Sequence, residues 1–217
     1  MKALRLILIC AISAMPIAVS AQEKEVFIPK GSVSAGIQAA YASLNSNNSD
    51  FMLLLNEINA AGHAFYAAPG VEFSYRDNRA VGLKLNYVSG NLAMDNADAA
   101  VHSVGGAVFH RNYFALDRKN RLAAFVEFSA SLTGRRADFV KTGENTSSLK
   151  AGLTFSPGLM YFVMNNVSIS FSIGMAGLSY NSAKCYSGGV ETGHSHRFGA
   201  DFGLDLLGSG FGISFYF

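Results

Sequence analysis

The stretch at residues 167–180, VSISFSIGMAGLSY, decides the fold. Its apolar side chains recur at every second position, at Val167, Ile169, Phe171, Ile173 and Met175. The residues between them are serine or glycine. Successive side chains of a β-strand point to opposite faces. The stretch therefore predicts a strand with one apolar face and one face of small or polar residues.

The same alternation recurs in residues 81–88, 122–132 and 149–163. Turn sequences that begin at Asn78, Asn120 and Asn165 each open one of these strands, and each follows another strand that contains a Pro-Gly or Gly-Gly step. The unit of strand, tight turn and strand thus occurs three times. One strand before these hairpins (residues 32–43) and one after them (about 206–217) bring the predicted number of strands to eight.

The connections between these strands alternate in length. Tight turns are predicted at residues 76–80, 117–121 and 164–166, and long polar loops at residues 44–63, 90–99, 134–147 and 181–195. Short turns at one end and long loops at the other are typical of outer-membrane barrels, and they argue against a propeller or a solenoid. We therefore predict an all-β fold, a closed antiparallel up-and-down transmembrane β-barrel of eight strands.

The second face of the strands distinguishes this barrel from a soluble β-sandwich. That face carries serine, glycine, alanine and asparagine, and charged residues make up only 15% of the chain. Small side chains suit an eight-stranded barrel, whose interior is just wide enough to be filled by them. After residue 21 no stretch approaches the roughly 18 apolar residues that mark a membrane helix. Tyrosines near strand ends are predicted to form interfacial girdles: Tyr41, Tyr75, Tyr87, Tyr113, Tyr161 and Tyr180.

The first 21 residues have the pattern of a secretory signal peptide. Lys2 and Arg5 precede an apolar stretch at residues 6–19, and Val19-Ser20-Ala21 provides small residues before a cleavage site. We predict a cleaved signal at residues 1–21 and a barrel domain at residues 22–217. The mature chain then has 15 basic and 15 acidic residues, because the signal removes two of the 17 basic residues. This balance offers no basic stripe for nucleic acid.

Charged residues on the polar faces predict a network inside the lumen. With a three-residue turn at residues 77–79, Glu72 lies opposite Lys84, Phe73 opposite Leu83 and Tyr75 opposite Val81. Opposite charges on neighbouring strands stabilise a sheet. Glu127 and Lys150 are expected to belong to the same charged interior. The strand at residues 101–114 fits two registers, with either Gly105, Ala107 and Phe109 or Val104, Gly106 and Val108 facing outward.

The last strand carries the family resemblance. Phe211, Ile213, Phe215 and Phe217 share one face, and the sequence stops on an aromatic residue. This pattern resembles the C-terminal signal by which the outer-membrane assembly machinery recognises its clients. Together with the hairpins, residues 31–217 resemble the small outer-membrane β-barrel family of the OmpX and OmpA transmembrane-domain type, within the porin-like superfamily. The resemblance implies a bacterial outer-membrane location and contacts with outer-membrane lipid and lipopolysaccharide.

Candidate chemistry is sparse. His194 and His196 could share one strand face and chelate a metal, with Cys185 nearby, but two histidines do not complete a zinc site. Cys185 is the only cysteine beyond the signal, so no internal disulfide can form. Asp201 and Asp205 fall on one face of a strand, and residues 51–55 form an apolar segment of undecided role. We predict no metal, no cofactor and no catalytic residues.

Three functions remain open at this point. The first is a structural or surface-interaction barrel with extracellular loops and a lumen filled by side chains. The second is a narrow porin-like channel for ions or small solutes, and the third is an enzyme that modifies lipid A. The first is favoured, because a filled lumen opposes solute flux and no Ser-His-acid spacing indicates an enzyme. The sequence does not indicate an oligomeric state.

Overall fold

The computed structural model describes residues 26–44, 60–94, 97–139, 144–187 and 190–217. The predicted signal peptide and residues 51–55 lie outside the described residues. The strands are β1 (Val33–Leu44), β2 (Ala60–Arg76), β3 (Arg79–Met94), β4 (Ala97–Ala115), β5 (Leu122–Phe139), β6 (Glu144–Met164), β7 (Val167–Ser187) and β8 (Val190–Tyr216). Each pairs antiparallel with the next, and β1 pairs with β8 to close the barrel. The predicted fold class and strand order are confirmed. No helix among these residues is long and apolar enough to cross a membrane.

The strands extend further than their apolar alternation indicated. β3 ends at Met94 and β4 begins at Ala97, and β8 begins at Val190. The predicted long loops at residues 90–99, 134–147 and 181–195 are therefore largely paired strand. The prediction was wrong because the apolar alternation stops where the outer face becomes polar, whereas backbone pairing continues. We call the end of the barrel where the strands extend beyond the apolar alternation the loop end. The opposite end, which carries the tight turns, is the turn end.

The β2–β3 turn has two residues, Asp77 and Asn78, and Asn78 adopts a positive φ of 58°. Asparagine tolerates this left-handed conformation better than most residues. A bulge between Phe73 and Arg76 then shifts the register. Phe73 consequently lies opposite Val81 rather than Leu83, and Glu72 lies opposite Gly82 rather than Lys84. The predicted three-residue turn and its pairings are wrong.

Strand β4 takes the second of its two registers. Val104 and Val108 are 63% and 55% exposed and face outward, whereas Ala107 and Phe109 are buried inside the barrel. The alternation continues toward the turn end, so that Arg111 and Tyr113 also face the interior.

An apolar belt surrounds the barrel. Its members are large hydrophobic side chains that remain about half exposed: Val71, Leu83, Leu85, Phe128, Leu132, Leu153, Ile213 and Phe215. Phe65 and Tyr75 face outward at the two borders of the belt on β2, ten residues apart. Ten residues span about 33 Å along a strand and roughly 25 Å of membrane depth after tilting. This height matches the apolar band of outer-membrane barrels.

Five of the six predicted girdle tyrosines are exposed near the borders of the belt: Tyr41, Tyr75, Tyr87, Tyr161 and Tyr180. Tyr113 is only 3% exposed and lies inside the barrel. The prediction for Tyr113 is wrong, because it assumed an outward face on a strand whose register the sequence left open.

Residues 26–32 fold into the turn end of the barrel and form an N-terminal plug. Phe27 and Ile28 are buried there. The Asn78 side-chain oxygen accepts hydrogen bonds from the N–H groups of Phe27 and Ile28 at 2.7 and 2.9 Å. Asp77 accepts one from the N–H of Lys30 at 2.8 Å. The two turn residues thus bind the plug as well as reversing the chain.

The plug completes an apolar layer at the turn end. Phe27 and Ile28 pack with inward-facing side chains from β3, β4, β5 and β6: Ala80, Tyr113, Ala123, Phe125 and Met160. Phe162 and Tyr216 pack against this layer from its edge. No sequence pattern predicted a role for this segment. Its burial closes the lumen at the turn end.

We expect Asn78→Gly to loosen the plug while leaving the β2–β3 turn intact. Glycine keeps the positive φ but removes the acceptor of two N–H groups, so the free energy of unfolding should fall by about 1–3 kcal/mol. Urea titration in lipid vesicles, followed by electrophoretic mobility, measures the loss. Trypsin cleavage after Lys30 should become faster.

Asn120→Gly is the matched control, because Asn120 also has a positive φ, of 51°, in the β4–β5 turn away from the plug. Equal losses of stability in the two variants would contradict the anchoring role of Asn78.

Candidate functional site

Four charged side chains from four successive strands meet inside the barrel: Glu72 of β2, Lys84 of β3, Arg111 of β4 and Glu127 of β5. Arg111 donates through Nη1 to Glu72 Oε2 at 2.9 Å and through Nη2 to Glu127 Oε2 at 2.6 Å. Lys84 Nζ forms an ion pair with Glu127 Oε1. Two cations and two anions make this charged cluster neutral.

All four carboxylate oxygens of the cluster are bonded. The remaining oxygen of Glu72, Oε1, accepts a hydrogen bond from the Tyr113 hydroxyl at 2.6 Å, and Arg111 Nη1 also donates to that hydroxyl at 3.1 Å. Glu72 and Glu127 are only 5% and 4% exposed. Burying a carboxylate is costly unless its oxygens are paired. The complete set of bonds explains how two acids persist inside the barrel.

Aromatic rings surround the cations of the cluster. The Arg111 guanidinium lies 5.0 Å from the Phe109 ring centroid and 4.6 Å from that of Phe125. Cation–π attraction of this kind strengthens when the groups are desolvated. The Phe109 and Phe125 rings lie against glycines of the neighbouring strands, Gly82 of β3 and Gly158 of β6. A Cβ atom at Gly82 or Gly158 would sit 2.3 Å from the tip of Phe109 or Phe125.

The cluster leaves little open space beside it. A cavity of about 50 Å³ lies between Glu72, Arg111 and the inner faces of β1, β7 and β8. Gln38 Nε2 donates to Ser172 Oγ at 2.6 Å along its wall. The charged cluster, the two phenylalanine rings and the N-terminal plug together block the turn-end half of the lumen.

Three of the four predicted lumen charges come together in this cluster. Glu72, Lys84 and Glu127 are members, but Lys84 pairs with Glu127 of β5, two strands away, rather than with Glu72 on the adjacent strand. Lys150 is absent from it. It lies opposite Thr133 and Asn181, six residues along β6 from the partner of Glu127 and about 20 Å away.

Arg111 is the central cation, and it was not among the predicted lumen charges. The signal was present in the alternation of β4: if Phe109 faces inward, Arg111 and Tyr113 must also face inward. The undecided register of that strand concealed it.

The histidines of β8 lie outside the barrel, on its outward face near the loop end. The His194 and His196 ring centroids are 4.4 Å apart. His196 Nδ1 is 2.8 Å from the Tyr180 hydroxyl, and His194 Nε2 is 3.2 Å from Ser182 Oγ. Cys185 is opposite Gly193, and alternation places it on the other face.

No group of three or more potential metal ligands occurs in the described part of the chain. The side chains of Asp201 and Asp205, both in β8, lie outside the described residues. The predictions made for them therefore stay predictions.

The C-terminal aromatic face has the predicted orientation. Phe211, Ile213, Phe215 and Phe217 are all exposed on the outward side of the barrel. Residues of this segment pair with β7 on one side and β1 on the other, as in Phe211 opposite both Phe171 and Ala39. Recognition of this face by the assembly machinery stays a prediction.

We expect Arg111→Met to destabilise the barrel by about 3–5 kcal/mol, because it leaves two buried carboxylates with Lys84 as their only cation. The control is Arg118→Met, which removes an exposed cation from the β4–β5 turn and should change stability by less than about 0.5 kcal/mol. Urea unfolding of the two variants in lipid vesicles measures the change in the free energy of unfolding for each. Adding Glu72→Gln to Arg111→Met should restore part of the loss; a further loss would argue against charge pairing as the cause.

No protein-family model matches the chain, and no curated protein matches it significantly. The outer membrane protein OprG from Pseudomonas aeruginosa aligns with a TM-score of 0.54 and 10% identity, covering 89% of this chain and 99% of that chain. Neisserial surface protein A aligns with a TM-score of 0.46 and 16% identity, covering 87% and 98%. The translocator domain of autotransporter NalP from Neisseria meningitidis aligns with a TM-score of 0.39 and 9% identity, covering 100% and 97%. The similarity to OprG supports the conclusion that this chain has the fold of an outer-membrane β-barrel protein.

Proposed function

We propose that the chain is an integral barrel of the bacterial outer membrane with a structural or surface-interaction role and a closed lumen. It is exported through the signal at residues 1–21 and belongs with the small barrels of the OmpX and OmpA transmembrane-domain type. One observation carries the proposal: a neutral charged cluster, in which every carboxylate oxygen is bonded, fills the lumen directly above the N-terminal plug.

The closed lumen argues against the narrow channel. Solute flux requires a continuous aqueous path, and an eight-stranded barrel provides one only where side chains leave the centre free. Here Arg111 of β4 lies over the Phe109 and Phe125 rings and bridges Glu72 of β2 to Glu127 of β5. Opening a path would break ion pairs between groups that are almost fully buried. The loop end and the outer face therefore remain as the surfaces available for interaction.

The outer face provides a polar row immediately beyond the apolar belt. Six consecutive strands contribute one outward residue each, every one opposite the next: Ser89, His102, Arg136, Ser147, Lys184 and His194. Arg136 contacts Asp138 at 2.9 Å and Lys184 contacts Glu191 at 3.0 Å, both exposed to solvent. We propose that lipid headgroups surround the barrel at this depth. The polar row then binds the phosphates and sugars of lipopolysaccharide.

The lipid-A-modifying enzyme remains a second candidate because of one contact. Ser182 Oγ lies 3.2 Å from His194 Nε2 on the outward face, where a lipid headgroup can reach it. A serine nucleophile needs a base that is itself oriented by a third group. The His194 ring, which would act as the base, contacts the His196 ring rather than a carboxylate that could orient it. The contact is therefore incomplete as a hydrolase site.

Planar-bilayer recording tests the closed lumen. The refolded mature chain should give no stable unitary conductance steps, because the charged cluster and the plug close the path. A heat-unfolded sample of the same preparation serves as the control for leakage. Stable open-channel steps from the folded protein would contradict the proposal.

Membrane fractionation with a heat-dependent gel shift tests the proposed outer-membrane location. Recovery of the chain in the soluble periplasmic fraction, without a gel shift, would overturn that location.

Mass spectrometry of lipid A tests the enzyme candidate. We expect identical lipid A from cells that express the wild-type chain and from cells that express Ser182→Ala. The comparison is informative because Ser182 is the one hydroxyl of the Ser182–His194 pair, and its loss would abolish nucleophilic chemistry there. A mass change that depends on Ser182 would replace the structural role with an enzymatic one.

A further inference from the structure

Three basic residues of the loop end face the lumen: Arg135 of β5, Lys150 of β6 and Arg197 of β8. Lys150 and Arg197 lie opposite the same residue, Asn181 of β7. Their Cα atoms are therefore two strand spacings, about 10 Å, apart. Arg135 is opposite Ser148, which makes it a diagonal neighbour of Lys150, at about 7–8 Å.

Alternation settles the direction in which these residues face. Their chain neighbours Leu149, Tyr180 and Phe198 are 52%, 48% and 71% exposed and form the upper border of the apolar belt. Lys150, Asn181 and Arg197 must then face the opposite side, which is the lumen. The side chains of Arg135, Lys150 and Arg197 are exposed, so the mouth of the barrel is open to water at this depth. We call these three residues the cationic mouth.

Among the side chains that the structure describes, no acid balances the charge of the cationic mouth. None of its three members forms an ion pair with another side chain that the structure describes. The described inward-facing residues around them are uncharged, such as Ser103, Thr133 and Asn181. Asp201 follows Arg197 on β8 toward the turn end, four residues or about 13 Å along the strand.

Four other cations of the strands have acidic partners. Inside, Lys84 and Arg111 are matched by Glu127 and Glu72, and outside, Arg136 and Lys184 each contact an acid. The cationic mouth is a concave wall on which all three described charged residues are positive. Such a wall concentrates field lines and attracts anions, because part of the surrounding volume is protein rather than water.

We propose that the cationic mouth binds a small multivalent oxyanion, one with two or more carboxylate or phosphate groups that can reach Lys150 and Arg197 together. The planar guanidinium of Arg197 suits bidentate contact with one group, and the Lys150 ammonium suits a point contact with another. Asn181 of β7 lies between them, opposite both. The charged cluster closes the lumen further in, so the anion binds without passing through. This site goes beyond the proposed membrane role and does not depend on it.

Citrate is the probe for the test, because it has three carboxylates. Isothermal titration of the refolded mature barrel, in zwitterionic detergent at low ionic strength, should show one saturable site. Lys150→Gln/Arg197→Gln should weaken citrate binding at least tenfold. Acetate, which can meet only one of the two cations, should bind the wild-type barrel at least tenfold more weakly than citrate.

Arg118→Gln/Lys119→Gln is the matched control. It removes the same charge from the exposed β4–β5 turn at the opposite end, and citrate affinity should stay within twofold of wild type. A heat-dependent gel shift checks that both variants are folded. Equal weakening by the two double variants would show a net-charge effect and overturn the site, as would similar affinities for citrate and acetate. The acetate comparison uses wild-type protein and decides the question even if a variant fails to fold.

Discussion

Pairing between the first and last strands is the interaction on which the rest of the barrel depends. β1 and β8 join over six residue pairs, from Ser34 opposite Tyr216 to Ala39 opposite Phe211. If this seam opened, two strand edges would present unpaired N–H and C=O groups to hydrocarbon, at several kcal/mol each. Gly36 allows the close approach that the seam needs, because a Cβ there would sit 2.5 Å from the Ile213 carbonyl oxygen.

Closure with eight strands then dictates how the interior is filled. The lumen is too narrow for an open channel and too wide to be left empty, so side chains must occupy it. At the turn end Phe27 and Ile28 supply apolar volume from outside the strands. Further in, the cluster around Arg111 supplies polar volume. A buried charged group is tolerable there only because every carboxylate oxygen has a donor.

The outward-facing side chains of the barrel could be predicted from the sequence, because their positions depend on local periodicity. Val167, Ile169 and Phe171 alternate with serines since they face lipid, and the terminal face through Phe217 follows the same rule. The strand count and the antiparallel order follow from the repeated hairpins. The residues at which the strands end could not be predicted in this way, because backbone pairing beyond the belt needs no apolar side chains.

The inward half depends on contacts that no local pattern encodes. Lys84 meets Glu127 across two strand intervals, so adjacent-strand pairing could not identify the partner. The register of Glu72 depends on the positive φ of Asn78 and on a bulge, which together shift it by two residues. Arg111 was concealed by a strand whose two faces, with Gly105 and Gly106 in sequence, are similarly apolar. The plug is a segment of seven residues with no periodicity to detect.

The two inner groups of charges differ because the cost of an unpaired charge depends on its access to water. Near Glu72 and Glu127, which are almost fully buried, an excess charge would lose its hydration without replacement, and the cluster is neutral. Lys150 and Arg197 keep their hydration at the open mouth, so folding does not require them to have partners. Stability therefore explains the composition of the charged cluster but not the concentration of like charges at the mouth. Cations that face one another across a concave wall repel, and a bound multivalent anion would remove that repulsion.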